Sequence, residues 1–189
     1  MREPLSTSAL HGMGHRRTLM KTGALAMIGI ATRSSLVHAG DNGEISHAEE
    51  SIHQERFFAT SRKRIYQALT DEKQFNKIVE LSGVMKADAN GKMQNPTQLS
   101  AQEGGTFVLF NGFIVGRQIE LTPDELIVQA WRVVNWPKGR YSIARFELAD
   151  HDGGTKLVFD HTGIPAGSAE HLASGWQEHY WDPLTKLLV

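Results

Sequence analysis

Residues 106–134 read TFVLFNGFIVGRQIELTPDELIVQAWRVV, and this stretch decides the fold. Three runs rich in β-branched and aromatic residues, 106–110, 114–121 and 126–134, are separated by Asn111-Gly112 and Pro123-Asp124. Asn-Gly supplies the positive φ of a tight turn and proline a preset φ, so the runs read as antiparallel strands joined by hairpins. Two more runs, 141–149 and 155–161, follow the breaks Trp136-Pro137-Lys138-Gly139 and Asp152-Gly153-Gly154. A β meander is the expectation. Within it, Tyr141, Ile143, Arg145 and Glu147 alternate with Ser142, Ala144, Phe146 and Leu148. Both sets hold large apolar side chains, so the pattern leaves open which set faces the core.

Outward from the meander the period changes. Residues 52–59 are β-compatible and end in Phe57-Phe58; Thr60-Ser61 then offers a cap for a helix carrying Ile65, Ala68 and Leu69 on one face. Asp71 followed by Gln74 has the spacing of a capping box and opens a second short helix with Phe75, Ile78 and Val79 inward, closed by Ser82-Gly83. After Pro165 the pattern is helical again. Ser168 stands as its cap, and Leu172, Trp176, His179 or Tyr180, Pro183 and Leu187 recur every three to four residues. About 20 residues at about 1.5 Å each make roughly 30 Å, enough to cross a curved sheet. Pro183 removes a helical donor and predicts a kink or break at Asp182.

The chain has 189 residues, 20 Lys+Arg, 21 Asp+Glu and no Cys. Without Cys there is no disulfide, thiolate metal site, iron–sulfur cluster or Cys nucleophile, and a formal charge of −1 provides no field for nucleic acid. The charge is unevenly placed. Residues 1–39 hold Arg2, Arg16, Arg17, Lys21 and Arg33 against Glu3 alone, which leaves 15 of the bases and 20 of the acids to the body. His15-Arg16-Arg17-Thr18-Leu19-Met20-Lys21, a weakly apolar stretch over 22–32, and Val37-His38-Ala39 with Ala39 at the cleavage point resemble a twin-arginine signal peptide. That resemblance implies a bacterial protein that is periplasmic or secreted, or cytoplasmic if the leader does not function. The apolar stretch is about half the roughly 20 residues of a membrane span, so no stable span is expected after processing. Residues 40–51 are Asp-, Glu-, Gly- and Ser-rich and read as a linker to a domain over 52–189.

Several groups of residues, in order, are recognisable together: Gly104-Gly105-Thr106-Phe107-Val108-Leu109-Phe110-Asn111-Gly112, Ile127-Val128-Gln129-Ala130-Trp131-Arg132, Trp136-Pro137, His161-Thr162-Gly163-Ile164-Pro165, and Glu178-His179-Tyr180-Trp181 with Pro183-Leu184. They resemble the domain of the activator of heat shock protein 90 ATPase homologues, within the START-like (SRPBCC) superfamily, over residues 52–188. The resemblance implies an α+β helix-grip fold: a curved antiparallel sheet, two short helices, and a long C-terminal helix enclosing a cavity. It also implies three functional readings. The first is a ligand-binding domain for a small apolar or amphipathic molecule; the second is a cochaperone-like module with a protein partner; the third is a cyclase-type enzyme. Export would separate the protein from a cytosolic chaperone.

With a cavity between sheet and helix, the aromatic residues of the last third become ligand-binding candidates: Trp131, Trp136 and Tyr141, then Trp176 and Tyr180, joined by Phe110 and His161. His171 and His179 stand eight apart with Gly175 between them, so no adjacent turns offer a His pair; no metal and no cofactor are expected. Asp160, His161 and Ser142 or Thr162 form a triad on paper only, without a nucleophile elbow, and no catalytic residue is assigned. Arg132 or Glu120 inside a cavity would be the acid–base alternative.

Overall fold

The structure, a computed structural model, describes residues 49–84 and 95–189. The expected leader over residues 1–39 and residues 40–48 of the expected linker lie outside them. Strand β1 spans Glu49–Phe58 and is followed by helices α1, Arg62–Thr70, and α2, Glu72–Ser82. The short β2, Gln98–Leu99, and β3, Thr106–Leu109, lead through a tight turn at Phe110–Gly112 to β4, Ile114–Thr122. Next come β5, Leu126–Val133, β6, Ser142–His151, and β7, Gly154–Pro165. The chain closes with α3, Ala169–Trp176, a π-helical turn at Gln177–Trp181, and α4, Asp182–Leu188.

The strands make one antiparallel sheet in the order β1-β7-β6-β5-β4-β3-β2, so the first strand closes against the last and the two short helices bridge to the far edge. The expected turns fall where the sequence places them, and the caps are those of the first two helices: Ser61 accepts from Arg64 N at 3.4 Å and Asp71 Oδ1 from Gln74 N at 2.9 Å. Period-two alternation puts one face of the sheet inside. On β6 that face carries Ser142, Ala144, Phe146 and Leu148, while Tyr141 and Ile143 are exposed. Phe146 decides the register: its ring meets Phe159 of β7 and Trp176 of α3, contacts worth more than a second-layer position for Tyr141.

Three details differ from the sequence reading. Strand β1 begins at Glu49 within the expected linker, because Glu49 and Glu50 pair with Pro165 and Ile164 of β7. Ser168 sits at the cap position of α3 without a side-chain cap hydrogen bond. Glu50 replaces it, accepting from Gly167 N at 2.8 Å, Ser168 N at 3.1 Å and Ala169 N at 2.8 Å. Those backbone N–H groups, Gly167 foremost, hold the Glu50 carboxyl below the usual carboxylate range. Finally, Pro183 does not break the last helix. The turn before it widens, with Asp182 N–H bonding back to Gln177 C=O, which gives the proline ring room beside the carbonyl of His179. The widening turns Tyr180 and Trp181 inward together and stacks Trp181 on Trp176 at 5.7 Å.

Candidate ligand cavity

Between the ends of β3–β5 and the final helix lies a cavity of about 360 Å³. The sheet side is built by Phe110, Ile114, Trp131 and Val133, which are apolar and buried. Phe110 reaches it because its backbone is left-handed, φ 50, a conformation costing a bulky residue about 1–2 kcal/mol. That twist ends β3 at Leu109 and sets the Phe110 ring 5.3 Å from Tyr180 and 5.9 Å from Phe75 of α2.

The helix side presents Leu172, Gly175, Trp176, His179 and Tyr180. Gly175, like Ile114, Val133, Leu172 and His179, is a lining residue that sequence reasoning missed. A Cβ there would meet nothing nearer than His179 Cδ2 at 4.0 Å, so the missing side chain is what opens the wall. The available signal was the glycine itself, which costs a helix interior roughly 0.5–1 kcal/mol and stands one residue from the inward stripe. His171, Ser174 and Glu178, all exposed, form the mouth.

Three cavity residues carry the only buried side-chain polar atoms without a hydrogen-bond partner among the described residues: Trp131 Nε1, His179 Nδ1 and Tyr180 Oη. Burial pushes the Tyr180 hydroxyl far above its ordinary value, and the nearby Trp131 N–H opposes a little of that rise without reaching hydrogen-bond geometry. Such atoms are expensive to leave unpaired, about 1–3 kcal/mol each.

Of the expected ligand-contacting residues, Phe110, Trp131, Trp176 and Tyr180 line this space and Trp136, Tyr141 and His161 do not. Trp136 backs Trp131 edge-on at 5.7 Å. Tyr141 lies on the outer face under the Arg132 guanidinium at 5.6 Å, placed there by the inward register of Ser142. His161 is fully buried behind Trp131 and Trp176.

The His161 hydrogen bonds settle its role. Trp176 Nε1 can only donate, so His161 Nδ1 accepts from it at 3.0 Å and the ring proton sits on Nε2. Nε2–H then donates to Ser142 Oγ at 2.7 Å, and the Ser142 hydroxyl donates in turn to Trp131 C=O at 3.0 Å. A base taking the Ser142 proton would need the opposite direction. Burial pushes the imidazole down to about 3, which keeps it neutral. Asp160 points to the outer face, 2.6 Å from His53 Nδ1, so the paper triad does not assemble. Nor do the acid–base alternatives enter the cavity: Glu120 is exposed, and Arg132 is bound to Trp136 C=O at 2.6 Å.

A curved antiparallel sheet gripping a long C-terminal helix over a side cavity defines the START-like helix-grip class. The family model for "Activator of Hsp90 ATPase homolog 1-like protein" matches residues 59–189, and the chain belongs to that family. The human activator of 90 kDa heat shock protein ATPase homolog 1 is 34% identical over 87 residues, 46% of this chain and 26% of that protein. A Dictyostelium discoideum homologue is 34% identical over 90 residues, 47% of this chain and 24% of that protein. The matches thus span about a quarter of the length of these relatives. Among solved structures, an HSP90 activator from Plasmodium falciparum has a TM-score of 0.59 at 25% identity, covering 74% of this chain and 95% of that one. The Aha1 protein of Colwellia psychrerythraea, solved as a dimer, has a TM-score of 0.57 at 19% identity over 74% of this chain and 97% of that one, a likeness of fold.

Proposed function

We propose that this domain binds a small apolar or amphipathic molecule in the cavity between its sheet and C-terminal helix. One observation carries the reading: apolar walls built by two separate elements, the sheet and the final helix, bound an open space of about 360 Å³. A packed core would have filled the space left at Gly175. The Arg16-Arg17 pair, the apolar stretch and Ala39 support export to the periplasm or beyond. No helix among the described residues is long and apolar enough to cross a membrane.

A second reading, a protein-interaction module of the activator type, is favoured by the family match and by the names of its relatives. Native mass spectrometry of protein purified from its own host separates the two. A retained small molecule, displaced by an apolar competitor, is the expected result. A copurifying chain with no small molecule would favour the interaction module and remove the ligand reading.

A further inference from the structure

Among the described residues, one polar side chain of the cavity lining is left for an occupant to use, an inference that rests on the cavity being a ligand site. Trp131 Nε1 and Tyr180 Oη are shut in by protein, and Trp176 Nε1 is spent on His161. His171, Ser174 and Glu178 stand exposed at the mouth, where water serves them. His179 remains, half-buried in the wall. Its two ring nitrogens differ. Nδ1 is shut in without a partner, while Nε2 is neither shut in nor hydrogen-bonded to any described residue. The ring's Cδ2, the carbon bonded to Nε2, is the nearest neighbour of a Cβ built on Gly175, at 4.0 Å. The edge that holds Nε2 therefore borders the space that Gly175 leaves open.

How Nε2 bonds follows from Nδ1. A proton on Nδ1 would be a buried donor with no acceptor, and orphaned N–H groups are rarer in proteins than under-used acceptors. In the neutral ring the proton belongs on Nε2, at the open edge, where it lacks only an acceptor. The Phe110 ring stands 6.4 Å away, so the bond would form beside an apolar wall. The volume bounds the size of the occupant: about 360 Å³ is the space of roughly a dozen waters at about 30 Å³ each, which suits a two-ring skeleton rather than a long acyl chain.

We propose that His179 Nε2–H is the polar anchor of the cavity, donating to a carbonyl or ether oxygen carried by a compact, otherwise apolar molecule.

Two probes of one shape read the anchor: a naphthyl methyl ketone and its isopropenyl hydrocarbon isostere. Neither carries a charge, so titration of His171 and Glu178 at the mouth acts on both alike. Each is titrated at pH 8 by calorimetry into wild type, His179→Leu, His179→Gln and His179→Asn. The ratio of ketone to hydrocarbon affinity is compared, since it cancels changes of cavity size. His179→Leu should lower that ratio by roughly three- to tenfold. His179→Gln, whose amide N–H reaches the place of Nε2, should restore most of it, and His179→Asn, which reaches only the place of Nδ1, should not. Nitrogen NMR of the wild-type His179 ring, which needs no variant to fold, should find the proton on Nε2 and that resonance shifted by the ketone but not by the hydrocarbon. A ratio unchanged in His179→Leu, restoration by Asn rather than Gln, or a proton on Nδ1 would overturn the anchor while leaving a ligand cavity in place. Failure of both probes to bind wild type would overturn the cavity reading itself.

Discussion

The buried His161 makes this protein sensitive to mild acid, and the size of the effect follows from its surroundings. Its imidazole is held down to about 3 by burial, against 6.5 for the free group. Below pH 6.5 the unfolded chain therefore binds a proton that the folded chain refuses, and stability falls as pH falls. At about 1.36 kcal/mol per pH unit, moving from pH 8 to pH 5 should cost about 2 kcal/mol, and the loss should level off near pH 3 at about 5 kcal/mol. That is a large share of a typical domain's stability. Other groups titrate in the same range, so the measurement is a comparison: urea midpoints of wild type and His161→Gln across pH 8 to 5. The variant should be the less stable at pH 8, having disturbed the chain from Trp176 to Trp131, and its curve should be flatter by about 2 kcal/mol. Nitrogen NMR of the wild-type imidazole should find it neutral, with the proton on Nε2, throughout. Parallel pH curves, or a folded-state His161 that protonates near pH 6, would refute the reasoning.

Other outcomes follow from single contacts. Tyr180→Phe deletes a buried hydroxyl with no partner, so it should raise stability by about 1 kcal/mol, against the usual trend for core substitutions; a thermal melt that falls by as much would contradict the unpaired state. Glu50→Gln should lower the melting temperature at neutral pH, because a carboxylate caps α3 better than an amide. Glu50 is held below the ordinary glutamate value of 4.5, so its contribution is present above that pH and is lost as pH falls through the lower folded value; the gap between variant and wild type should close in strong acid. Changing Arg16 and Arg17 together to Lys should block processing after Ala39, which N-terminal sequencing of fractionated cells checks; normal processing of the variant would dismiss a twin-arginine leader.

Much of the fold was legible because its signals are local. Asn111-Gly112, Pro123-Asp124 and Asp152-Gly153 mark turns wherever they stand, and Ser61 and Asp71 need only the next turn of chain to act as caps. What escaped depends on distant partners. Glu50 displaces Ser168 as a cap through a strand pairing between opposite ends of the domain, which no window around Ser168 contains. Strand β2 has two residues, too few for a period to register. At Pro183 a local rule predicted a kink or a break; the break does not occur, because Trp176, Tyr180 and Trp181 bury enough aromatic surface to hold the helix together through a widened turn. The cavity was half legible: Trp131, Trp176 and Tyr180 stand on inward stripes, and Phe110 is turned in at the end of its strand by a left-handed backbone. Tyr141 was lost to a register that its own strand leaves ambiguous, and His161 to the depth at which it is buried. Gly175 was invisible as a site residue because its contribution is an absent side chain.

If the space beside Gly175 receives a ligand, filling it should abolish binding. Leucine at position 175 would project toward the cavity from a Cβ that meets nothing nearer than His179 Cδ2 at 4.0 Å, and replacing a helical glycine should hold or raise stability. Wild type and Gly175→Leu are titrated with a neutral naphthyl-ketone dye whose emission reports an apolar surrounding, alongside a urea melt of each. Wild type should bind saturably, and the variant at least roughly tenfold more weakly while melting no earlier. Equal binding by both proteins, or no saturable binding by wild type, would contradict it.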